Sequence, residues 1–460
     1  MSLRKIVQDR YLATTWPELV SRVSGFVGQN DLERTHFKEV IMEKVFIPAG
    51  NNLLAGKEPI RPNCAIVEPI NENNFDRTLA RCKKLWSARI GIGFDLSTAV
   101  DPLNILKKLS QENAAIKFDH RPQRGNMAVL KADHLRILDF INLKRTDKSI
   151  YNFNLSVAID SHKETPSSLM KEMAASAHAC GDPGIIFLDR LQGITGATYA
   201  DMELINDRIG HVHTTVPCGE QPLYSDECCS LGSINLAASS LWTPAMELKE
   251  EVFIDAVKTG VRFLDQTLDL MDIPDDQMKF MATYTRRIGL GVMGWADLLA
   301  MHQVKYGSEE SYQLGHRLGN LFRKTVHQAS VELGQEKGIA PVLKGTTLKR
   351  RNMMISCCPP TGGITLLTEN QGFSIEPFFS EVSSIRADTH LKMQLLWQSY
   401  MDNCVSKTVN LPTSATVSDV EEVWHQANFM GLKSITVYRD GSHLNQPLQI
   451  GDCPKGSCSI

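Results

Sequence analysis

The stretch TTVPCGEQPLYSDECCSLGSINL, Thr214 to Leu236, places three cysteines (Cys218, Cys228 and Cys229) and a carboxylate, Glu220, in one run rich in turn residues. Zinc sites, disulfide staples, nucleophiles and redox centres all use these residue types. Adjacent Cys228 and Cys229 are poorly spaced for zinc. A nucleophilic thiolate is disfavoured, because a nearby carboxylate raises a thiol pKa. No histidine lies between Cys218 and Glu220 to act as a base, although His211 and His213 are close upstream. A thiol beside a carboxylate suits radical or redox chemistry coupled to proton transfer. In an extended segment Cys218 and Glu220, on either side of Gly219, point to one face.

The rest of the chain sets the context. Its 460 residues exceed a usual single core, so one large barrel-like domain or two domains are expected. A net charge of −3 gives no global basic field, so nucleic acid is not an expected partner. No apolar run is long enough to cross a bilayer and the N-terminus lacks a signal h-region, so no membrane association and a cytoplasmic location are expected. Eleven cysteines without an export signal read as thiols rather than a disulfide framework. Cys82, Cys180, Cys357, Cys358 and Cys404 read as buried filler.

The first 45 residues have helical periodicity, as in WPELVSRVSGFVG and NDLERTHFKEVI. Short apolar runs follow, alternating with helical segments. PNCAIVEPI, SVAID, GIIFL, MMISCC, SKTVNLP and LKSITVY read as buried strands. EVFIDAVKTGVRFLDQTLDLM and EESYQLGHRLGNLFRKTVHQASVELGQEKG read as helices, the second stopped by Gly338 with Pro341 beyond. This alternation predicts an α/β architecture with parallel strands. The last 20 residues lack periodicity and read as a mobile tail carrying Cys453 and Cys458. That C-x₄-C pair, with no third or fourth ligand nearby, suits a shuttling dithiol better than zinc.

Two glycine motifs need separating. Gly289, Gly291 and Gly294 spell G-x-G-x-x-G, but the residues before them are polar and basic, so a dinucleotide fingerprint is disfavoured and a glycine-rich helix-packing segment is the reading. A nicotinamide dehydrogenase is the competing enzyme class through this motif. PPTGGITLL follows an apolar strand, and its turn is either a phosphate site or an ordinary strand-to-helix turn.

PCGEQPLYSDECCSLGSINL resembles the finger loop of the catalytic subunit of ribonucleotide reductase. The resemblance continues in order through PNCAIVEPI, GIGFDLS, RGNMAVLKADHLRILDFI, NFNLSVAID, DPGIIFLDR, GLGVMGWADLL, PPTGGIT, DNCVSKTVNLP and LKSITVYRDGS, from about Trp16 on. It is most similar to the adenosylcobalamin-using branch. The resemblance implies a ten-stranded α/β barrel of two antiparallel five-stranded parallel halves, with the finger loop at its centre. It implies a helical region at 1–45 without an ATP cone, a catalytic barrel at 46–440 and a redox-active tail at 441–460.

By resemblance, Cys218 carries a thiyl radical that takes the ribose 3′ hydrogen, and Glu220 takes the 3′-hydroxyl proton. Cys64 and Cys229 are the reducing pair, and Cys228 is left without a role. Cys453 and Cys458 re-reduce that pair and are reset by a thioredoxin- or glutaredoxin-type donor. Asn63, Val216, Pro217 and Gly219 line the substrate, and Pro360, Thr361, Gly362, Gly363 and Ile364 hold its phosphates. Asp76, Arg121 and Arg124 are the candidate contacts for a dNTP or ATP effector, at a site that in the family lies on a homodimer interface. The product is a 2′-deoxyribonucleotide for DNA synthesis, with diphosphates the expected substrate.

The sequence departs from the family at Val216, where Asn is usual two residues before the radical cysteine; Asn154 is the candidate substitute. For radical initiation, the C-x₄-C ending favours a ferritin-like metal subunit, as in compact phage-borne members, which would act in the host cytoplasm. Tyr438 is then the last relay, and no metal or cofactor binds this chain directly. The alternative is adenosylcobalamin without a partner, which the lack of adjacent tyrosines in SITVYRDGS favours. A catalytically silent nucleotide-binding homologue is the non-enzyme alternative. The glycyl-radical branch is disfavoured because its characteristic ending does not appear.

Overall fold

A computed structural model describes residues 3–116 and 125–442. The expected effector residues Arg121 and Arg124 and the tail cysteines Cys453 and Cys458 lie outside the described residues.

Three helices, Leu3–Tyr11, Trp16–Val27 and Asp31–Met42, open the chain. The second shows why the segment is helical. Thr15 caps it by accepting from the Glu18 amide, and Pro17 sits where no amide partner is needed. Trp16, Leu19, Val20, Val23 and Val27 recur at helical spacing and form its buried face. These side chains belong to the same continuous apolar core as the strands that follow.

Twelve strands come next in chain order: β1 (Phe46–Pro48), β2 (Cys64–Ile66), β3 (Gly91–Asp95), β4 (Asn126–Lys131), β5 (Phe153–Ile159) and β6 (Gly184–Phe187). Then follow β7 (Thr214–Thr215), β8 (Pro222–Leu223), β9 (Ser230–Asn235), β10 (Ile288–Met293), β11 (Thr408–Leu411) and β12 (Ser434–Arg439). Strands β2 to β6 pair parallel in sequence order, with a helix between each pair. Strands β9 and β10 pair parallel, as do β11 and β12. The two groups meet antiparallel where β12 pairs with β6.

Regular ladders give a seven-stranded sheet, β11-β12-β6-β5-β4-β3-β2, and a three-stranded sheet, β1-β9-β10. Isolated bridges join them. Leu290 bridges Ser356 and Cys358 bridges Val405, both parallel, and Ala65 bridges Cys228 antiparallel. The fold is thus α/β, with mixed sheets whose parallel groups run in opposite directions; the regular ladders do not themselves close into the expected ten-stranded barrel. MMISCC, read as a strand, contributes only these single bridges. Asp402 explains part of this: its carboxylate takes the Ile355 and Ser356 amides that a ladder would use.

The G-x-G-x-x-G segment corrects its expected reading as helix packing. Gly289 and Gly291 lie inside β10, and only Gly294 precedes a helix, Trp295–Met301. A side chain on Gly291 would approach the Cys357 carbonyl to 2.2 Å, so these glycines serve strand packing. The preceding arginines are not a solvated basic run either: Arg286 and Arg287 are both buried.

Candidate active site

β7 and β8 form a short antiparallel hairpin that carries Val216 to Gln221 at its tip. The Val216 amide donates to the Gln221 carbonyl at 2.9 Å, and the Gly219 amide returns to the Val216 carbonyl at 2.8 Å. Gly219 adopts φ +78°, which a glycine takes without strain. The hairpin lies directly on β3, where a side chain on Gly93 would stand 2.2 Å from the Thr215 carbonyl. The glycines of GIGFD thus clear one strand face for the hairpin.

This turn overturns the extended reading of Cys-Gly-Glu. Cys218 is exposed at the tip, whereas Glu220 is buried. The two side chains share a turn but sit in different surroundings. Three contacts fix the tip: the Asn154 amide donates to the Pro217 carbonyl at 2.9 Å, the Cys404 amide donates to the Glu220 carbonyl at 3.0 Å, and Gln221 reaches the Ile288 carbonyl at 3.3 Å. Asn154, expected to replace the missing family Asn, is therefore spent on the loop itself.

The structure brings Cys64 and Cys229 together. The Cys229 amide donates to the Cys64 carbonyl at 3.2 Å, its thiol points at the same oxygen at 3.7 Å, and the Asn63 amide returns to the Cys229 carbonyl at 3.2 Å. Val216, Leu223, Leu231, Ile66 and Cys357 complete a small apolar cluster with the two cysteines. Burial pushes the Cys229 thiol well above its ordinary pKa, with Cys64 and Glu220 adding to the effect. Two thiols in an apolar pocket can deliver hydrogen and close to a disulfide. Asn63 lies beside them, and its Oδ1 is buried without a hydrogen-bond partner among the described residues. Cys228 is buried in the main core.

A buried ion pair holds this arrangement. Arg287 meets Glu227 at 3.1 Å and also donates to the Pro222 carbonyl at 3.2 Å and to Asn403 Oδ1 at 2.7 Å. Glu227 in turn accepts the Tyr224 amide, and its carbonyl accepts the Ile66 amide. The return arm of the hairpin is thereby locked onto β2.

On the other side of the tip, Cys218 opens into a cavity of about 660 Å³, lined also by Asn154, Ser156, Glu376, Lys407, Thr436 and Tyr438. Lys407 is fully buried and contacts Glu376 and His390 Nδ1, the latter at 2.9 Å. Burial lowers the Lys407 pKa while Glu376 opposes it, and burial with Lys407 nearby depresses His390 to about 2. Lys407 and Glu376 went unread in the sequence; a lysine inside the apolar run SKTVNLP was the available signal. Tyr438 reaches the cavity from the end of β12, with Ser442 close to its hydroxyl.

Pro360 to Ile364 form a turn into the short helix Gly362–Thr368. Thr361 Oγ1 is taken by the Ser374 amide at 2.7 Å and pairs with Thr365, and the Gly363 carbonyl accepts from Tyr11 at 3.1 Å. None of these residues lines the Cys218 cavity. Asp76 is exposed in the first turn of the helix Phe75–Ser87, twelve residues beyond Cys64. Among the described residues, no group of three or more His, Cys, Asp or Glu could hold a metal ion, and no helix is long and apolar enough to cross a membrane.

Residues 158–356 and 375–438, more than half of the chain, match the description "Ribonucleotide reductase, barrel domain". A vitamin B12-dependent ribonucleoside-diphosphate reductase of Thermoplasma acidophilum is 27% identical over 90% of this chain. One of Mycobacterium tuberculosis is 30% identical over 81% of it. The chain spans 66% of the length of each, just under two thirds. In fold it is similar to the Actinobacillus ureae class Id ribonucleotide reductase alpha subunit, with TM-score 0.82, 19% identity and coverage of 95% of this chain and 96% of that one.

Proposed function

The chain belongs to the ribonucleotide reductase family, and from that premise we propose that it is a catalytic subunit that reduces ribonucleoside diphosphates to 2′-deoxyribonucleotides. The observation that carries this reading is the hairpin tip. It presents one exposed thiol, Cys218, above a buried carboxylate, Glu220, and a dry thiol pair, Cys64 and Cys229.

In this reading a Cys218 thiyl removes the 3′ hydrogen and Glu220 accepts the 3′-hydroxyl proton. The 2′ oxygen leaves as water with a proton from the thiol pair. Cys64 and Cys229 give up two electrons and close to a disulfide. Cys218 then returns the hydrogen to C3′. Cys453 and Cys458, with a thioredoxin-type donor, reopen the disulfide by exchange.

The expected ferritin-like partner gives way, in this proposal, to adenosylcobalamin. The volume against Cys218 is within the range of small-molecule sites. The chemistry such a cofactor supplies when bound is hydrogen abstraction from a thiol. Ser156, Thr436 and Asn154 would line it. The B12-dependent relatives support the same choice. A dNTP effector and a homodimer remain part of the proposal, as does action on free nucleotides in the cytoplasm.

The test is anaerobic incubation of the purified chain with CDP and dithiothreitol, with and without adenosylcobalamin. Deoxycytidine diphosphate is expected only with the cofactor, and not from Cys218→Ser. Product that instead requires a separate metal subunit overturns the initiator. Absence of product under both conditions overturns the reductase reading.

A further inference from the structure

The segments that carry Cys64 and Cys229 run antiparallel to each other. The Cys229 amide donates to the Cys64 carbonyl, Ala65 bridges Cys228, and the Ile66 amide donates to the Glu227 carbonyl at 2.9 Å. The thiols stand at one end of this pairing. At its other end, about 10 Å along the strands, both segments meet Arg81, in the middle of the helix Phe75–Ser87. We propose that Arg81 is the positioning residue of the thiol pair: a clip across the two segments that sets how readily Cys64 and Cys229 close to a disulfide. Its bearing on turnover rests on the reductase reading above.

Three observations converge on Arg81. First, it touches both segments. Its Nη2 donates at 2.7 Å to Oδ1 of Asp226, on the segment of Cys229, and its Nη1 lies 3.6 Å from Oε1 of Glu68, on the segment of Cys64. Second, the clip is itself anchored. Arg81 forks onto Asp275 at 2.7 and 2.9 Å, and Asp275 in turn accepts the Met278 amide as the cap of the helix Asp276–Thr285. Glu68 is held as well, by Arg77 at 2.7 Å and Thr78 at 3.1 Å. The side chains of Arg81, Asp226 and Asp275 are 18%, 13% and 7% exposed, so salt and solvent screen these contacts weakly. Third, Asp226 has an unusual backbone. It sits at φ +63°, third in a turn closed by the Glu227 amide on the Tyr224 carbonyl at 3.1 Å. Glycine or asparagine is usual there. What an aspartate adds over glycine is a carboxylate, and that carboxylate meets Arg81.

The turn decides how Cys229 approaches Cys64. Glu227 follows Asp226 directly and already pairs with Ile66, so the angle at Asp226 sets the line on which Cys228 and Cys229 lie. Holding that line in the dithiol state reduces the conformational freedom lost when the S–S bond forms. Releasing the clip therefore weakens the disulfide relative to the dithiol. A loss of stability common to both redox states leaves that balance unmoved.

The test uses the full chain with Cys218→Ser, Cys453→Ser and Cys458→Ser, equilibrated with reduced and oxidised glutathione, quenched in acid, alkylated and mapped by mass spectrometry. In the reaction read, Cys64 and Cys229 lose two electrons and two protons, and one oxidised glutathione takes them to become two thiols. Arg81→Met should lower the equilibrium constant for the Cys64–Cys229 disulfide about tenfold, 30 mV for two electrons. Adding Asp226→Gly should bring it back to within about twofold, because glycine takes φ +63° without strain and leaves no charge at the turn. Adding Asp226→Ala instead should not, since alanine removes the charge but keeps the strain. Arg81→Lys keeps the charge without the fork and should lower the constant about threefold. An unchanged constant in Arg81→Met, or in Arg81→Lys where Arg81→Met does not fold, overturns the proposal, as does recovery with alanine equal to that with glycine. Single turnover of CDP with adenosylcobalamin is run alongside on the chain with Cys218 in place. Shifted constants without product uphold the clip and count against the reductase reading alone; product with unshifted constants does the reverse.

Discussion

Arg287→Met removes the positive half of the ion pair that locks the hairpin's return arm to β2. Arg287 and Glu227 have side-chain exposures of 1% and 0%, so solvent screening does not soften the loss. Methionine keeps the apolar stem beside Tyr224. It abandons Glu227, the Pro222 carbonyl and Asn403 Oδ1. Removing one partner of a buried pair costs about 3–5 kcal/mol, mostly the charge left behind. The two neutral acceptors add about 1 kcal/mol each where they stay dry. Relaxation absorbs part of this, so a net loss of about 4 kcal/mol is expected.

Urea unfolding followed by tryptophan fluorescence measures it. With an m-value of about 3 kcal/mol/M, the midpoint should fall by roughly 1.3 M. The double variant Glu227→Leu with Arg287→Met removes both charges and should recover most of that fall, because an apolar pair of similar volume is often as stable. The functional consequence is specific. Cys229 sits two residues beyond Glu227, so the single variant should form the Cys64–Cys229 disulfide slowly even below its unfolding midpoint. A midpoint shift below about 0.3 M in the single variant would refute the claim that this pair secures the reducing arm.

Three further outcomes follow from the geometry. Lys407→Met strands Glu376 and His390 and should cost about 3 kcal/mol; hydrogen exchange should quicken in residues 373–382, and unchanged protection there would show that Lys407 does not hold the cavity wall. Asn63→Ala deletes a buried acceptor that has no partner among the described residues. The KM for CDP should rise about tenfold, one hydrogen bond of roughly 1.4 kcal/mol, whereas Asn154→Ala should lower stability and leave KM in place; the reverse pattern would sink both assignments. Burial raises the thiol pKa values of Cys228, Cys229, Cys357 and, to about 11, Cys404. A raised pKa means less thiolate at a given pH, so iodoacetamide at pH 8 should label exposed Cys218 first, and labelling of the four buried thiols should still be climbing above pH 9. Plateaus below pH 9 for those four would contradict the burial.

Several strands were legible because they leave local marks, as continuous apolar runs. The hairpin was not: its tip read as extended, although the glycine that lets the chain reverse between Thr215 and Pro222 stands at 219. The pairing of Cys64 with Cys229 was not legible from spacing, since 165 residues separate them and only the resemblance joined them. The expected common face of Cys218 and Glu220 failed for a local reason. A turn with φ +78° at its glycine sends neighbours two apart to different surroundings, where a strand would align them. Arg287 and Lys407 escaped because charge in a sequence reads as surface, and only three-dimensional contacts reveal that Arg287 is spent on buried Glu227 and Lys407 on partly buried Glu376.

Val216 gains meaning from the side of the hairpin it occupies. It packs with Cys64 and Cys229, away from the cavity that Cys218 and Asn154 share. The family's asparagine at this position would therefore face the reducing thiols, and its replacement by valine removes an amide from that side alone. Asn154 cannot repay the loss, because it lies on the opposite side and already donates to Pro217. A polar atom on the reducing side that has no hydrogen-bond partner among the described residues is Asn63 Oδ1, on the segment that pairs with Cys229. An acceptor there can take a ribose hydroxyl, but it cannot donate to a developing oxyanion as a second amide would. In the proposed reaction, proton transfer at the 3′ hydroxyl then rests on Glu220, a buried carboxylate whose charge also raises the Cys229 thiol pKa.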